Sequence, residues 1–106
     1  MSFPHEIDVI RAAALLQQGA LVLDVREPAE LAVCQLAGCL HVPMQEIPAR
    51  LAELPPDAPV LVLCHHGGRS ARVTMFLRAN GIAQAVNVAG GIDAWALQID
   101  PSLRRY

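Results

Sequence analysis

The hydrophobic positions of this chain fall in short solid runs separated by stretches with helical spacing. Ala20-Leu-Val-Leu-Asp24 is an apolar run closed by an acid and Pro59-Val-Leu-Val-Leu63 is a second, while Leu40–Val42 and Ala85–Val88 read as short strands. Continuous apolar runs of this length are expected of strands buried on both faces. Between them the period changes. Val9–Gln18 carries apolar residues at 9, 10, 13, 14 and 16, behind Asp8 as an N-cap and before Gly19 as a stop. Ser70–Asn80 places Val73, Met75, Phe76 and Leu77 at helical intervals and ends at Asn80-Gly81. Pro28 opens a short helix over Ala29–Val33, and Ile47–Leu54 is helical in pattern with Pro48 in its first turn. Gly90-Gly91 turns the chain into a last helix over Ile92–Leu97, and His5–Ile7 is a candidate first strand. Met44, Met75, Phe76 and Trp95 are expected to pack.

Strands that alternate with helices predict an α/β fold with a parallel sheet covered by helices on both faces. The 106 residues suit one domain, 1–106, with one core, and a hydrophobic content of 54% argues against disorder. No apolar run is long enough to cross a bilayer, so no membrane role is expected. The start, Met1-Ser-Phe-Pro-His-Glu, lacks a basic segment followed by an apolar one, which predicts a cytoplasmic protein. The net charge of -2 argues against nucleic acid as a partner. All eight basic residues are Arg, which removes lysine chemistry. The three cysteines are an odd number, so free thiols are expected. Cys34 and Cys39, near Leu36, Ala37 and Leu40, read as small half-buried apolar residues.

Parallel α/β sheets bind ligands beyond the carboxyl ends of their strands. Two segments stand there: Asp24-Val-Arg26-Glu27, and Cys64-His-His-Gly-Gly-Arg69-Ser70, which leads into a helix. A metal is not expected, because Cys64, His65 and His66 are consecutive, their side chains should diverge, and no second ligand pair exists. A disulfide needs Cys34 or Cys39 beside Cys64 in space, which the sequence leaves open, as it leaves open a plain turn with a buried cysteine. The nucleophile reading fits the layout better. A thiol at a strand end, before a helix N-terminus, meets backbone N–H groups and the positive end of a helix dipole, both of which favour thiolate. Gly67 and Gly68 allow positive φ and an inward-facing nest of N–H groups. Arg69 adds a fixed positive charge, and Ser70 can cap the helix or hydrogen-bond the sulfur.

Four segments in order resemble the motifs of single-domain rhodaneses, which are thiol sulfurtransferases. They are Leu21–Glu30, Leu36–Pro43, the loop Cys64–Ser70 and Asn87–Trp95; the tail from Asp100 to Tyr106 is also similar to that of many bacterial members. The second segment departs from the family pattern at Cys34-Gln35 and at Ala37. The resemblance implies a five-stranded parallel sheet with helices on both faces. It implies that Cys64 attacks the sulfane sulfur of a donor such as thiosulfate or a persulfide, becomes a persulfide held by the N–H groups of residues 65 to 69, and passes the sulfur to a thiol or cyanide. A sulfur-carrier protein is a further partner the resemblance allows, and no cofactor is implied. Asp24 and Arg26 should stand beneath or beside the loop, Asp24 bonded to backbone N–H groups or to Arg69, and Arg26 in a structural ion pair or guiding an anionic donor. The six-residue loop from Cys64 to Arg69 suits one sulfur atom, whereas related phosphatases use one residue more. A phosphatase or arsenate reductase is thus an alternative, as is a binding or carrier module without turnover. Neutral His65 and His66, where thiosulfate-preferring relatives often carry cations, predict weaker thiosulfate binding at alkaline pH.

Overall fold

Each solid apolar run forms a strand, and the stretches with helical spacing cross between them. The computed structural model describes residues 4–106; the three before them, part of the stretch read above for an export signal, lie outside it. In order, the elements are β1 (Glu6–Ile7), α1 (Val9–Gln17), β2 (Leu21–Asp24), α2 (Pro28–Val33), β3 (Leu40–His41), β4 (Val60–Leu63), α3 (Gly68–Ala79), β5 (Ala85–Val88) and α4 (Gly91–Gln98). The five strands form one sheet in the order β1-β5-β4-β2-β3, and every pairing is parallel. The α/β fold with a parallel sheet covered by helices on both faces is therefore the one the pattern predicts, and its five strands are the number the resemblance implies. Among the described residues no helix is long and apolar enough to cross a membrane.

The period of two along each strand divides the core into two layers. Val22, Leu61, Leu63, Val86 and Val88 meet Val9 and Ala12 of α1 and Ile92 and Trp95 of α4. Leu23, Val25, Val60, Val62, Cys64 and Ala85 face the other way, against Val73 and Leu77 of α3 and against Ile47 and Leu54. Asp8 caps α1 by accepting the Arg11 amide at 2.8 Å. β4, flanked by β2 and β5, is buried at all four positions. The residue that follows it is Cys64, placed by the alternation on the α3 face.

Two expectations need correction. Ile47–Leu54 is not a regular helix. Met44–Glu46 and Pro48–Glu53 are 3₁₀ turns, broken at Arg50 (φ -119°, ψ 18°). Prolines at 43, 48 and 55 leave segments too short to propagate an α-helix, and short 3₁₀ pieces still bury Ile47 and Leu54. Trp95 is buried in the layer with α1 and α4 and Met44 packs against the opposite layer, but Met75 is 59% exposed and Phe76 37%. Ser70, Val73, Thr74 and Leu77 take the buried face of α3, which turns Arg72, Met75, Phe76 and Ala79 outward.

Candidate active site

Cys64 lies at the floor of a cavity of about 340 Å³ lined also by His65, His66, Gly68, Arg69 and Arg72. The side chain itself is buried. Its Sγ accepts the amide of Gly67 at 3.1 Å and that of Ser70 at 3.3 Å. Gly67 makes this geometry by adopting φ +107°, in the left-handed region, as the residue that precedes the first turn of α3. Gly68 does not take a positive φ, so only one of the two glycines serves the turn; a Cβ on Gly68 would meet open space. The amides of His65, His66, Gly68 and Arg69 have no hydrogen-bond partner among the described residues, and all four residues line the cavity.

Ser70 approaches the sulfur, one of the two roles expected of it, but does not cap the helix, whose N-cap is Gly67 with no side-chain cap. Its Oγ lies 3.1 Å from the Cys64 sulfur, and its hydroxyl donates to Asn87 Oδ1 at 2.5 Å. Asn87 in turn donates to the Gly67 carbonyl at 3.2 Å and to Glu6 at 2.9 Å. Asn87 thus fixes both the serine and the turn, and sequence reasoning missed it. The signal was present as a lone polar residue inside the solid run Ala85-Val-Asn-Val88. A buried amide is retained only where its donors and acceptors are met.

The loop is held from behind by the start of α4. The Ile92 amide donates to the Cys64 carbonyl at 2.8 Å, and the Asp93 amide to the His65 carbonyl at 3.1 Å. Orphan N–H groups of a helix first turn thereby pair with the loop's carbonyls. The approach is close. A Cβ at Gly91 would overlap the carbonyl oxygens of both Cys64 and His65. The Gly90-Gly91 pair read as a turn is also the surface on which the loop rests.

Arg69 is not a free charge. Its Nη2 donates to Glu30 at 3.0 Å, and this bond raises its pKa further above the ordinary arginine value. Asp24 does not reach Arg69. It accepts the Arg26 amide at 3.0 Å, as expected of a backbone-bonded acid, and pairs with the Arg26 guanidinium at 2.8 Å, both side chains fully buried. Burial works against the Arg26 charge, but Asp24 and Tyr106 outweigh it and hold its pKa above the ordinary value. Its remaining N–H groups go to the Cys34 carbonyl at 2.9 Å, the Glu30 carbonyl at 3.3 Å and the Tyr106 hydroxyl at 3.0 Å. The Arg26 guanidinium is thus committed to partners within the fold.

His65 and His66 do not diverge. Their rings stack at 3.8 Å, and Tyr106 stacks on His65 at 3.8 Å and 8°, giving three rings in a pile above the Arg26 pair. Asp93 approaches from α4, so that a ligand atom each from His65, His66 and Asp93 lie within 4.8 Å of one another. An imidazole binds a metal in its own ring plane, and the two ring planes are inclined at 30° with centroids 3.8 Å apart. Asp93 is moreover engaged by Arg105 at 2.9 Å, which lowers its pKa. Cys34 and Cys39 are half-buried free thiols in the layer under α1 and α4.

A thiol at the end of a central parallel strand, under the first turn of a helix, defines a cysteine-centred group-transfer site on an α/β sheet. The chain belongs to the rhodanese-like domain family, whose sequence profile matches residues 9–98. It is 38% identical over 79 residues to a sulfurtransferase of Allochromatium vinosum, covering 74% of each chain. It is 34% identical over 85 residues to thiosulfate sulfurtransferase GlpE of Pseudomonas fluorescens (strain Pf0-1), covering 80% of this chain and 78% of that one. The crystal structure of a rhodanese-related protein from Thermoplasma volcanium superimposes with a TM-score of 0.83 at 33% identity, covering 90% and 93% of the two chains. The protein is a sulfurtransferase of the rhodanese type.

Proposed function

We propose that the protein moves the sulfane sulfur of thiosulfate to a thiol or cyanide through a persulfide on Cys64. The observation that carries this reading is the convergence of the Gly67 and Ser70 amides on the Cys64 sulfur, at 3.1 and 3.3 Å, beside four further amides with no other partner among the described residues. Donors fixed in place before reaction stabilise a sulfur anion without reorganisation, whether it is the thiolate or the outer atom of a persulfide. In the first step the Cys64 thiolate attacks the outer sulfur of thiosulfate. A new S–S bond forms, the old one breaks, and its electron pair leaves with sulfite. In the second step the acceptor attacks the outer sulfur of the Cys64 persulfide and the thiolate returns, giving thiocyanate from cyanide or a persulfide from a thiol. The relatives' thiosulfate activity supports the choice of donor. Asp24 and Arg26 hold the floor under the loop and take no part in the transfer.

Intact mass after incubation with thiosulfate tests the reading, with Cys64→Ala beside wild type. The expected result is a gain of one sulfur, ~32 Da, that needs Cys64 and is lost on adding cyanide. No gain, with turnover of an aryl phosphate, would favour a phosphatase; a gain that no acceptor discharges would favour a sulfur-carrying module.

A further inference from the structure

The ground for expecting no metal is that consecutive histidines diverge, and His65 and His66 do not. Asp93, in the first turn of α4, completes a set of two imidazoles and one carboxylate, with one ligand atom from each within 4.8 Å of the others. His66 Nε2 lies 3.9 Å from Asp93 Oδ2. A second observation points to a ligand. His65 Nε2 is buried and has no hydrogen-bond partner among the described residues. A buried polar atom left unpaired is costly, and a coordinated cation satisfies it. The backbone beneath the set is already fixed, because the Ile92 and Asp93 amides hold the carbonyls of Cys64 and His65 at 2.8 and 3.1 Å. Only side chains have to adjust.

We propose that His65, His66 and Asp93 form a divalent-cation site suited to Zn2+. Two imidazoles and a carboxylate, with a fourth position for water, are a donor set that zinc takes. Zinc bonds of about 2.0–2.2 Å set tetrahedral ligand atoms about 3.3 Å apart, so the trio draws in by up to about 1.5 Å on binding. Two of the three side chains are free to move. The His66 side chain is 67% exposed, and rotation about its Cβ–Cγ bond takes the ring out of the stack and turns its plane onto the cation. Asp93 exchanges Arg105 for the metal. That pair, at 2.9 Å, has a 55% exposed arginine, and exposed pairs contribute little. His65 is the fixed member, held against the Tyr106 ring at 3.8 Å. A bound cation then ties the loop after β4 to α4 through side chains as well as backbone. Cys64 supplies no ligand, so the site stands apart from the sulfur chemistry.

The test titrates metal-free protein with Zn2+ by calorimetry and with Co2+ by absorption, in a Cys64→Ser background so that the reactive thiol does not compete. One Zn2+ should bind per chain. Co2+ should give visible d–d bands without the near-ultraviolet charge-transfer band of a thiolate ligand. His66→Ala and Asp93→Asn should each weaken Zn2+ binding by on the order of tenfold or more. Arg105→Ala should tighten it by up to about fivefold, because the competitor for Asp93 is gone. Zn2+ should also raise the urea midpoint of the Cys64→Ser protein and leave that of its Asp93→Asn derivative unmoved, with EDTA reversing the shift. Absence of binding, a thiolate band that puts the cation on Cys34 or Cys39, an affinity untouched by His66→Ala or by Asp93→Asn, or weaker binding in Arg105→Ala would each overturn the proposal. Sulfur loading of wild type by thiosulfate is unaffected by any of these outcomes.

Discussion

Ser70 carries one hydroxyl proton and faces two acceptors. Asn87 Oδ1 takes it at 2.5 Å, and the Cys64 sulfur lies 3.1 Å from the same oxygen. While Cys64 is a thiol, its own proton can go to Ser70, and the chain of donors runs from sulfur to serine to asparagine. Once the sulfur is an anion, the hydroxyl becomes more useful to sulfur than to the amide oxygen. A hydrogen bond to a charged group contributes about 1.5–3 kcal/mol, so Ser70→Ala is expected to lower kcat/KM by roughly ten- to hundredfold. Because Ser70 is buried beneath the sulfur and does not line the cavity, the loss should fall on kcat more than on KM. Steady-state kinetics with thiosulfate and cyanide would show this, and wild-type kcat in Ser70→Ala would defeat it. Cys64, Gly67 and Ser70 were legible in the sequence because a cysteine after a solid apolar run, then glycines, then a helix pattern, is a local arrangement. The pairing of Arg69 was not legible because its partner, Glu30, lies 39 residues away on α2.

Helix starts do two separate jobs around the loop. α3 supplies amides to the sulfur, and α4 supplies amides to the carbonyls of Cys64 and His65. The second job requires Gly91, whose φ of +59° is combined with backbone oxygens where a Cβ would stand. Neither obstacle can be relieved by moving a flexible side chain. Gly91→Ala is therefore expected to cost about 2–4 kcal/mol of stability and to slow sulfur loading of Cys64 at least tenfold, since the loop must shift. Gly81 separates strain from overlap. It has φ +93°, but an added Cβ would meet nothing, so Gly81→Ala should cost about 1–2 kcal/mol and leave loading intact. Urea denaturation and stopped-flow loading of both variants check the pair; equal loading rates would show that α4 is a passive neighbour. The existence of these elements was readable from apolar runs and from Gly-Gly, but what Gly91 touches was not, because periodicity reports which face is buried and not against what. The same limit hid the 3₁₀ turns: Ile47, Leu51 and Leu54 satisfy helical spacing, and only the prolines around them decide the geometry.

At the scale of the molecule, a polar column, buried at Asp24 and Arg26 and exposed at Tyr106, joins the end of β2 to the active-site loop. Asp24 pairs with Arg26, Arg26 donates to Tyr106, and the Tyr106 ring stacks on His65, which follows the nucleophile. The Arg26–Tyr106 contact spans 80 positions of the chain, so nothing in local pattern announced it. Removing one member of a buried ion pair leaves the other charge stranded. Arg26→Met is expected to lose about 3–5 kcal/mol in urea unfolding, more than the double variant Asp24→Leu with Arg26→Met.

Two acids near this column, Cys39 and Tyr106, make stability fall in alkali. Burial raises the Cys39 thiol above its ordinary value of 9.0, and the charge of Asp24 adds to the effect. Burial likewise raises the Tyr106 phenol above 10.0, only partly offset by its hydrogen bond from Arg26. Both are acids whose folded state keeps the proton longer than the unfolded chain does. Each contribution is therefore fully present below the ordinary value and is lost as pH rises through the folded one. The unfolding free energy should thus be level with respect to these two groups up to about pH 9 and decline above it, in two stages. Cys39→Ala should flatten the stage that begins near 9.0, and Tyr106→Phe the stage that begins near 10.0. Tyr106→Phe also loses the bond from Arg26, so its curve should start lower but slope less. The slope is what identifies the titrating group. Urea unfolding between about pH 8 and pH 11 measures it, and a Tyr106→Phe curve parallel to wild type above 10.0 would mean that the column does not hold the phenol in its neutral form.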